Sequence, residues 1–280
     1  MASCSVITET LYLFYAMLTI SLLQIAPTLA TFFAVELWSP ARPVRQILEM
    51  MNARKPEVVV LAVIDSLDLQ IYTDFAPELV ELHRLVDQGG LIFAGKPVSR
   101  HTTPAIAAIL TGLSPESHGI VVSEDVAASK IKSILEILHE HGKPTAAVLD
   151  TNGARPLEGR VSHVIGIENR EDILDYDAEI TAHTLSILEH QPEVQLLLTH
   201  LRSIDRFAHR GWDLQVAAGV VNAHMHEIRS AVGARNGLLI VCGDHEAHLP
   251  ERKAASGQQL IPLIVGCGTD MNEEISGRTV

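Results

Sequence analysis

Three stretches of this 280-residue chain pair chemically capable side chains with buried-strand sequence. Asp65 ends the apolar run Glu57-Val58-Val59-Val60-Leu61-Ala62-Val63-Ile64. Asp205 and His209 are spaced i, i+4, so on a helical turn both would share a face. Asp244 and His245 follow a second apolar run, Leu238 to Gly243, with His248 three residues further on. Carboxylates and imidazoles at the ends of parallel strands are how an α/β fold gathers metal ligands. Between the first two stretches lies Arg100-His101-Thr102-Thr103-Pro104, which offers a hydroxyl at a helix start. A helix N-terminus favours an anion, and a metal can activate a hydroxyl, so the combination suits phosphoryl transfer.

Each element also has a local reading. Thr102 or Thr103 is a good N-cap. Asp205 and His209 could form a surface ion pair, and Asp65 could cap a turn. Asp68 reads as an exposed loop acid. His118, in the turn-rich Ser114-Pro115-Glu116-Ser117-His118-Gly119, reads as structural, with Gly119 turning the chain into a strand at Ile120-Val121-Val122. Arg206 and Arg210 are phosphate contacts or solvated charge.

The elements that must position these residues alternate along the chain. Short, wholly apolar strands are expected at 57–64, 91–94, 145–149, 194–198, 237–242 and 260–265. Helices are expected at 77–88, 103–110, 131–141, 170–190 and 214–232. The pattern predicts an α/β fold with a mostly parallel central sheet flanked by helices on both faces. Hydrophobic residues make up 47% of the chain, enough for one large core. The net charge of −13 argues against a nucleic-acid polymer as partner. Cys4, Cys242 and Cys267 are scattered and give no disulfide framework.

Leu11 to Val35 carries no formal charge over 25 residues. At about 1.5 Å per residue it could cross a bilayer core of roughly 30 Å. The expected organisation is therefore a membrane or signal-anchor helix within 1–38, a connector at 39–55 and a catalytic domain at 56–280. Only Glu9 is charged before Leu11, whereas Arg42, Arg45, Arg54 and Lys55 follow. The positive-inside rule then favours the cytoplasmic side for the catalytic domain without fixing it. The alternative is a buried N-terminal helix in a cytoplasmic protein.

Taken in order over residues 56–268, the segments resemble the alkaline phosphatase superfamily, in particular its nucleotide pyrophosphatase/phosphodiesterase branch. The carriers are the Thr102-Thr103-Pro104 turn, the run Thr111-Gly112-Leu113-Ser114-Pro115-Glu116-Ser117-His118-Gly119-Ile120, and the Asp205/His209 and Asp244/His245 elements. The resemblance implies a mixed sheet between helices and two divalent ions, usually zinc, with manganese as the other candidate. One ion would take Asp65, Thr102, Asp244 and His245. The other would take Asp205, His209 and a third histidine. Thr102 would be the nucleophile of a phosphodiesterase or phosphatase, forming a phosphothreonine that water resolves. Thr103 fills a variable position beside it and, with Arg100 and His101, would contact the substrate. Sulfatase relatives use a cysteine or serine matured to an aldehyde, and this turn has no cysteine, so a sulfatase activity is disfavoured.

Two departures accompany the match. Ala105 stands where the branch commonly has a phosphate-holding asparagine, leaving Arg100 or His101 to compensate. Ser256 stands where phosphomutase relatives carry the third histidine, and no histidine follows His248. His248 must then substitute, or the second metal set is incomplete. Glu246 also replaces a usual glycine. The implied substrate is a small phosphoester. The competing classes are a non-catalytic ligand- or partner-binding module and a membrane-associated phosphotransferase or phosphomutase.

Overall fold

Six-residue stretches of branched and aliphatic side chains cannot leave either face in water, so they become interior strands. The computed structural model describes residues 17–249 and 259–268. Its strands are β1 (Thr19–Ser21), β2 (Val59–Ile64), β3 (Leu91–Lys96), β4 (Thr145–Asp150), β5 (His163–Ile167), β6 (Leu196–Leu201), β7 (Leu238–Gly243) and β8 (Ile261–Cys267). They form one eight-stranded sheet in the order β1-β3-β8-β7-β2-β6-β4-β5. The central β2, β6 and β7 are buried at every position.

The sheet is mixed, which corrects the expectation of a mostly parallel one. β8 runs antiparallel to both β3 and β7, while the other neighbours are parallel. A buried antiparallel strand reads in sequence like a buried parallel one, since both are continuously apolar. The mixed sheet is what the family resemblance implies.

Helices cover both faces. They are α1 (Ile25–Phe32), α2 (Arg45–Arg54), α3 (Leu69–Asp74), α4 (Val80–Asp87), α5 (Thr102–Thr111), α6 (Pro115–His118), α7 (Ser123–Ala128), α8 (Ile134–Glu140), α9 (Thr151–Ala154), α10 (Ile173–His190), α11 (Ser203–Arg210) and α12 (Leu214–Ala234). One core holds α3, α4, α10, α11 and α12 against the sheet through residues such as Tyr72, Leu85, Tyr176, Phe207 and Met225. The other holds α1, α2, α5 and α8 through Leu29, Met51, Ile109 and Leu135.

The apolar N-terminal stretch is used inside the domain. β1 pairs with β3, with Ile20 opposite Gly95. Leu22, Ile25, Ala26 and Leu29 are buried in the second core. Ser21 and Gln24 form a reciprocal cap that breaks the stretch into a strand, a short 3-10 turn and α1. Thr28 takes the N–H of Val44 at 2.8 Å. A stretch apolar enough for lipid is equally suited to a sheet face, and these polar interruptions decide for the sheet. Among the described residues no helix is long and apolar enough to cross a membrane. Residues 11–16 of the expected span, and Ser256, lie outside the described residues.

Two smaller expectations also change. Ile120 to Val122 is not a strand: Val121 and Val122 are exposed and lead into α7. The edge strand β5 was not expected, because its His163-Val164-Ile165-Gly166-Ile167 is half-exposed and lacks a continuous apolar run. His118 is structural as expected: it is buried, and its Nδ1 accepts the N–H of Ile120 at 2.9 Å, with Gly119 at φ +70° making the turn.

Candidate active site

Strand order explains why residues 180 positions apart meet. β7, β2 and β6 are adjacent and parallel, with Ile64 paired to both Gly243 and Leu201. The next residues, Asp65, Asp244 and Arg202, therefore emerge side by side at the carboxyl edge of the sheet. Asp65 and Asp244 are fully buried, and His245 is 2% exposed. His245 Nε2 lies 3.3 Å from Asp65 Oδ1 and 3.4 Å from Asp244 Oδ2.

Ser66 ties the three segments together. Its N–H donates to Asp244 Oδ1 at 3.0 Å and its hydroxyl donates to Asp205 Oδ1 at 2.9 Å. To do so it adopts a left-handed backbone, φ +64°. The turn after β2 lies directly over Gly243, where a Cβ would come within 2.0 Å of the Leu67 carbonyl oxygen. A Gly243→Ala substitution must push this turn away. We expect it to cost roughly 1–3 kcal/mol in chemical denaturation and to weaken cation binding. Unchanged stability and binding would mean that the turn shifts without affecting the carboxylates.

Thr102 is not a cap. It is the first residue of α5, whose N-cap position is His101 and has no side-chain cap bond. The Thr102 hydroxyl instead lies 3.2 Å from His245 Nε2 and 3.4 Å from Asp65 Oδ1. Thr103 turns away: its hydroxyl is 3.4 Å from Ser123 Oγ, in a small apolar pocket behind α5. Ala105 is fully buried and offers no donor.

Asp205 and His209 share one face of α11, with Nε2 of His209 3.3 Å from Asp205 Oδ1. The helix start is held by an acid from another element. Asp177 on α10 accepts the N–H groups of Arg202 and Ser203 at 2.8 and 2.9 Å and the Ser203 hydroxyl at 2.5 Å. Burial nevertheless pushes the Asp177 carboxyl above its ordinary range, against the hydrogen bonds from Ser203 and Arg202.

His248 sits between the histidines. Its ring is 5.2 Å from that of His245 and 5.5 Å from that of His209. Its Nε2 is engaged with the Arg100 carbonyl at 2.9 Å. Asp205, His209 and His248 therefore stand near one another without converging on a single point. Asp68, expected to be exposed, is buried: it caps α3 through Ile71 N and accepts the Ala247 N–H at 3.2 Å. Glu246 pairs with Arg100 at 2.7 Å and accepts the Gln259 N–H.

Two further residues belong here that their sequence positions did not reveal. His200 on β6 is fully buried, with neither ring nitrogen hydrogen-bonded among the described residues and Nε2 3.7 Å from Asp65 Oδ2. Arg202 Nε is 3.5 Å from the same oxygen. A histidine inside an apolar strand looks like packing, and an arginine after it looks like surface. Only the register places both against Asp65.

The electrostatics fit a cation. Asp65 is held well above the ordinary carboxylate range by burial and then by Asp244 and Asp205, with Arg202 and Thr102 opposing. Asp244 is raised by burial, opposed chiefly by His245. Burial pushes His200 well down, and Arg202 and His245 add to the effect. Asp244 Oδ2 is buried without a hydrogen-bond partner among the described residues. Asp65, Asp244 and His245 each offer one ligand atom, all within 4.8 Å of one another. This is an oxygen and nitrogen donor set that could hold one metal ion. Among the described residues Asp205, His209 and His248 do not form a second such group.

The cluster opens into a cleft of about 730 Å³, lined by Arg100, His101, Thr102, Arg202, His209 and His248 among others. Thr102 is thus the hydroxyl shared by the carboxylate cluster and the open cleft.

Comparison with known proteins bears on the fold. The sulfatase family model matches residues 57–198, which include β2, the Thr102 turn and the start of β6. No curated protein sequence matches this one. Phosphonoacetate hydrolase from Sinorhizobium meliloti 1021, solved with phosphonoformate, superposes with a TM-score of 0.54 at 14% identity over 68% of this chain and 57% of its own. A 2-O GAG sulfatase, BT1596, gives 0.57 at 12% identity over 76% and 64%. The C-terminal periplasmic domain of EcEptC from Escherichia coli, in complex with Zn, gives 0.50 at 14% over 80% and 75%. This chain spans a little over half the length of the phosphonoacetate hydrolase it matches. With a family match over half of its residues and the same fold in these structures, the chain belongs to the sulfatase family, within the alkaline phosphatase superfamily.

Proposed function

We propose that this chain is a metal-dependent phosphoester hydrolase, of phosphodiesterase or phosphatase type, with Thr102 as nucleophile. One observation carries the reading: the Thr102 hydroxyl gives up capping α5 and stands within 3.4 Å of both His245 and Asp65, facing the open cleft. Asp65, Asp244 and His245 would hold one ion beside Thr102. Asp205 and His209 would hold a second, with His248 joining once it leaves the Arg100 carbonyl. Bound divalent ions would lower the hydroxyl pKa of Thr102 and neutralise phosphoryl charge. Zinc suits the histidine and carboxylate donors, and manganese is the alternative. The zinc complex of the EcEptC domain supports the former.

The chain's own part is then a two-step exchange. Thr102 Oγ gives up its proton and forms a bond to phosphorus as the ester P–O bond breaks, and the leaving oxygen takes up a proton in exchange. Water next attacks the phosphothreonine and loses a proton, the P–Oγ bond breaks, and Oγ regains a proton, which regenerates Thr102 and releases phosphate. Arg100, His101 and Thr103 were the expected substrate contacts. Arg100 and His101 line the cleft, whereas Thr103 faces the pocket behind α5. Membrane attachment by residues 11–35 forms no part of the proposal, because Leu22, Ile25 and Leu29 already fill the core.

The unassembled second ligand set favours one other reading, a member that binds an anionic ligand without turnover. Metal content and hydrolysis of a chromogenic phosphodiester and monoester separate the two. About two tightly held ions per chain with turnover is the expected result. Folded protein without metal or turnover, even with added zinc or manganese, would establish the binding module.

A further inference from the structure

We infer that Arg202 grips the anionic oxygens of a group seated at Thr102, and that Tyr176 and Asp177 of α10 set it in place; this rests on the hydrolase reading above. Arg202 leaves β6 at the level of Asp65 and lines the cleft with Thr102. Its side chain is only 18% exposed. The buried Nε points at Asp65 Oδ2 across 3.5 Å without making a hydrogen bond among the described residues. A guanidinium withdrawn from water with a donor unsatisfied lacks a partner that belongs there.

The other cleft arginines are committed elsewhere. Arg100 pairs with Glu246 at 2.7 Å. Arg206 bonds the Asn169 side chain through one terminal nitrogen, although its Nε, like that of Arg202, has no hydrogen-bond partner among the described residues, and Arg210 stacks over Trp212 at 4.6 Å. Arg202 is instead braced from behind. Its backbone N–H donates to Asp177 at 2.8 Å, and its guanidinium carbon lies 5.8 Å from the Tyr176 ring centroid. Ala105 brings no donor to the nucleophile turn, and of the arginines that line the cleft Arg202 is the one placed against Asp65, at 3.5 Å. A planar fork matches two oxygens of a tetrahedral anion, which a lysine cannot do.

Asp65 makes the grip conditional. Without a cation, Asp65 attracts the guanidinium. A divalent ion on Asp65 and Asp244 cancels that attraction and leaves the fork for the anion. Phosphate binding by Arg202 is therefore expected to require the metal.

Calorimetric titration of inorganic phosphate into zinc-loaded and metal-free protein tests this, with metal content and melting temperature measured on each variant. Wild type should bind phosphate only when loaded. Arg202→Gln should weaken that binding about 10–100-fold, the loss of hydrogen bonds to a charged group, with metal content unchanged. Arg202→Lys should recover only part of it. Arg206→Gln, removing a charge from the same cleft, should change it less than about threefold. In hydrolysis Arg202→Gln should penalise a dianionic monoester more than a monoanionic diester. Loaded Arg202→Gln or Arg202→Lys that binds phosphate like wild type overturns the assignment alone. Wild type that holds zinc but never binds phosphate overturns the hydrolase reading with it. If Arg202→Gln does not fold, the lysine variant decides: full wild-type affinity in it rules out the fork.

Discussion

Thr102→Ala should abolish turnover, by at least about 10³-fold in kcat, while leaving fold and metal content close to wild type. The fold expectation rests on the position. Thr102 is the first residue of α5, makes no capping bond, and is replaced by the residue of highest helix propensity. The metal expectation rests on the cluster, since Asp65, Asp244 and His245 converge without the hydroxyl. The substitution removes the oxygen that bonds to phosphorus. Water entering the vacated space could still be activated, which sets the residual rate. Thr103→Ala is the matched comparison, because that hydroxyl faces Ser123 in the pocket behind the helix. It should lower kcat by less than about tenfold. Steady-state rates on the chromogenic esters, with acid-stable phosphate trapped on wild type but not on Thr102→Ala, check both. Wild-type turnover in Thr102→Ala would remove the nucleophile from the proposal and leave metal-activated water in its place.

The parts of this site that lie at strand ends were legible because an apolar run announces a buried strand and marks the residue at its end. Asp65, Asp244 and His245 each terminate such a run, and the sheet brings those runs side by side. The Asp205 and His209 pair was legible from its spacing. The residues that eluded sequence reading depend on tertiary register or on elements remote in the chain. His200 is meaningful only because β6 sets it against Val63, two residues before Asp65. Asp177 caps a helix 26 residues away. Ser66 bonds acids 139 and 178 residues distant.

The N-terminal stretch shows the converse. Its hydrophobicity was real, but hydrophobicity does not distinguish lipid from a neighbouring sheet. Only pairing partners do, and Ala94, Gly95 and Lys96 supply them for β1. Strand direction is similarly silent in sequence: Ile261 to Cys267 is apolar throughout its core, and nothing in it says that it runs against β7.

Asp244→Asn should stabilise the metal-free protein at pH 8 and remove most of the stabilisation that zinc gives to wild type. Oδ1 of Asp244 accepts the N–H groups of Ser66 and His245, and an asparagine oxygen can keep both bonds. Oδ2 makes no hydrogen bond among the described residues, so its replacement by an amide nitrogen costs only the attraction of His245 Nε2 at 3.4 Å. The change deletes a buried negative charge close to Asp65. In the metal-free fold both carboxyls are raised by burial, above their unfolded value near about 3.9. An acid with a raised folded pKa destabilises the fold wherever it is ionised. That penalty is present above the folded pKa and fades as pH falls towards the unfolded one, because the native state takes up the proton first. The melting-temperature gap between metal-free Asp244→Asn and wild type should therefore narrow from pH 8 towards pH 5. Zinc reverses the ranking. Ligand at a thousandfold its Kd adds about 4 kcal/mol to wild type, whereas the variant has lost a ligand and gains far less. Thermal melts over that pH range, with and without zinc, check each part. A metal-free Asp244→Asn protein that melts below wild type at pH 8 would make the Ser66 and His245 bonds, rather than cation binding, the reason for an acid at this position.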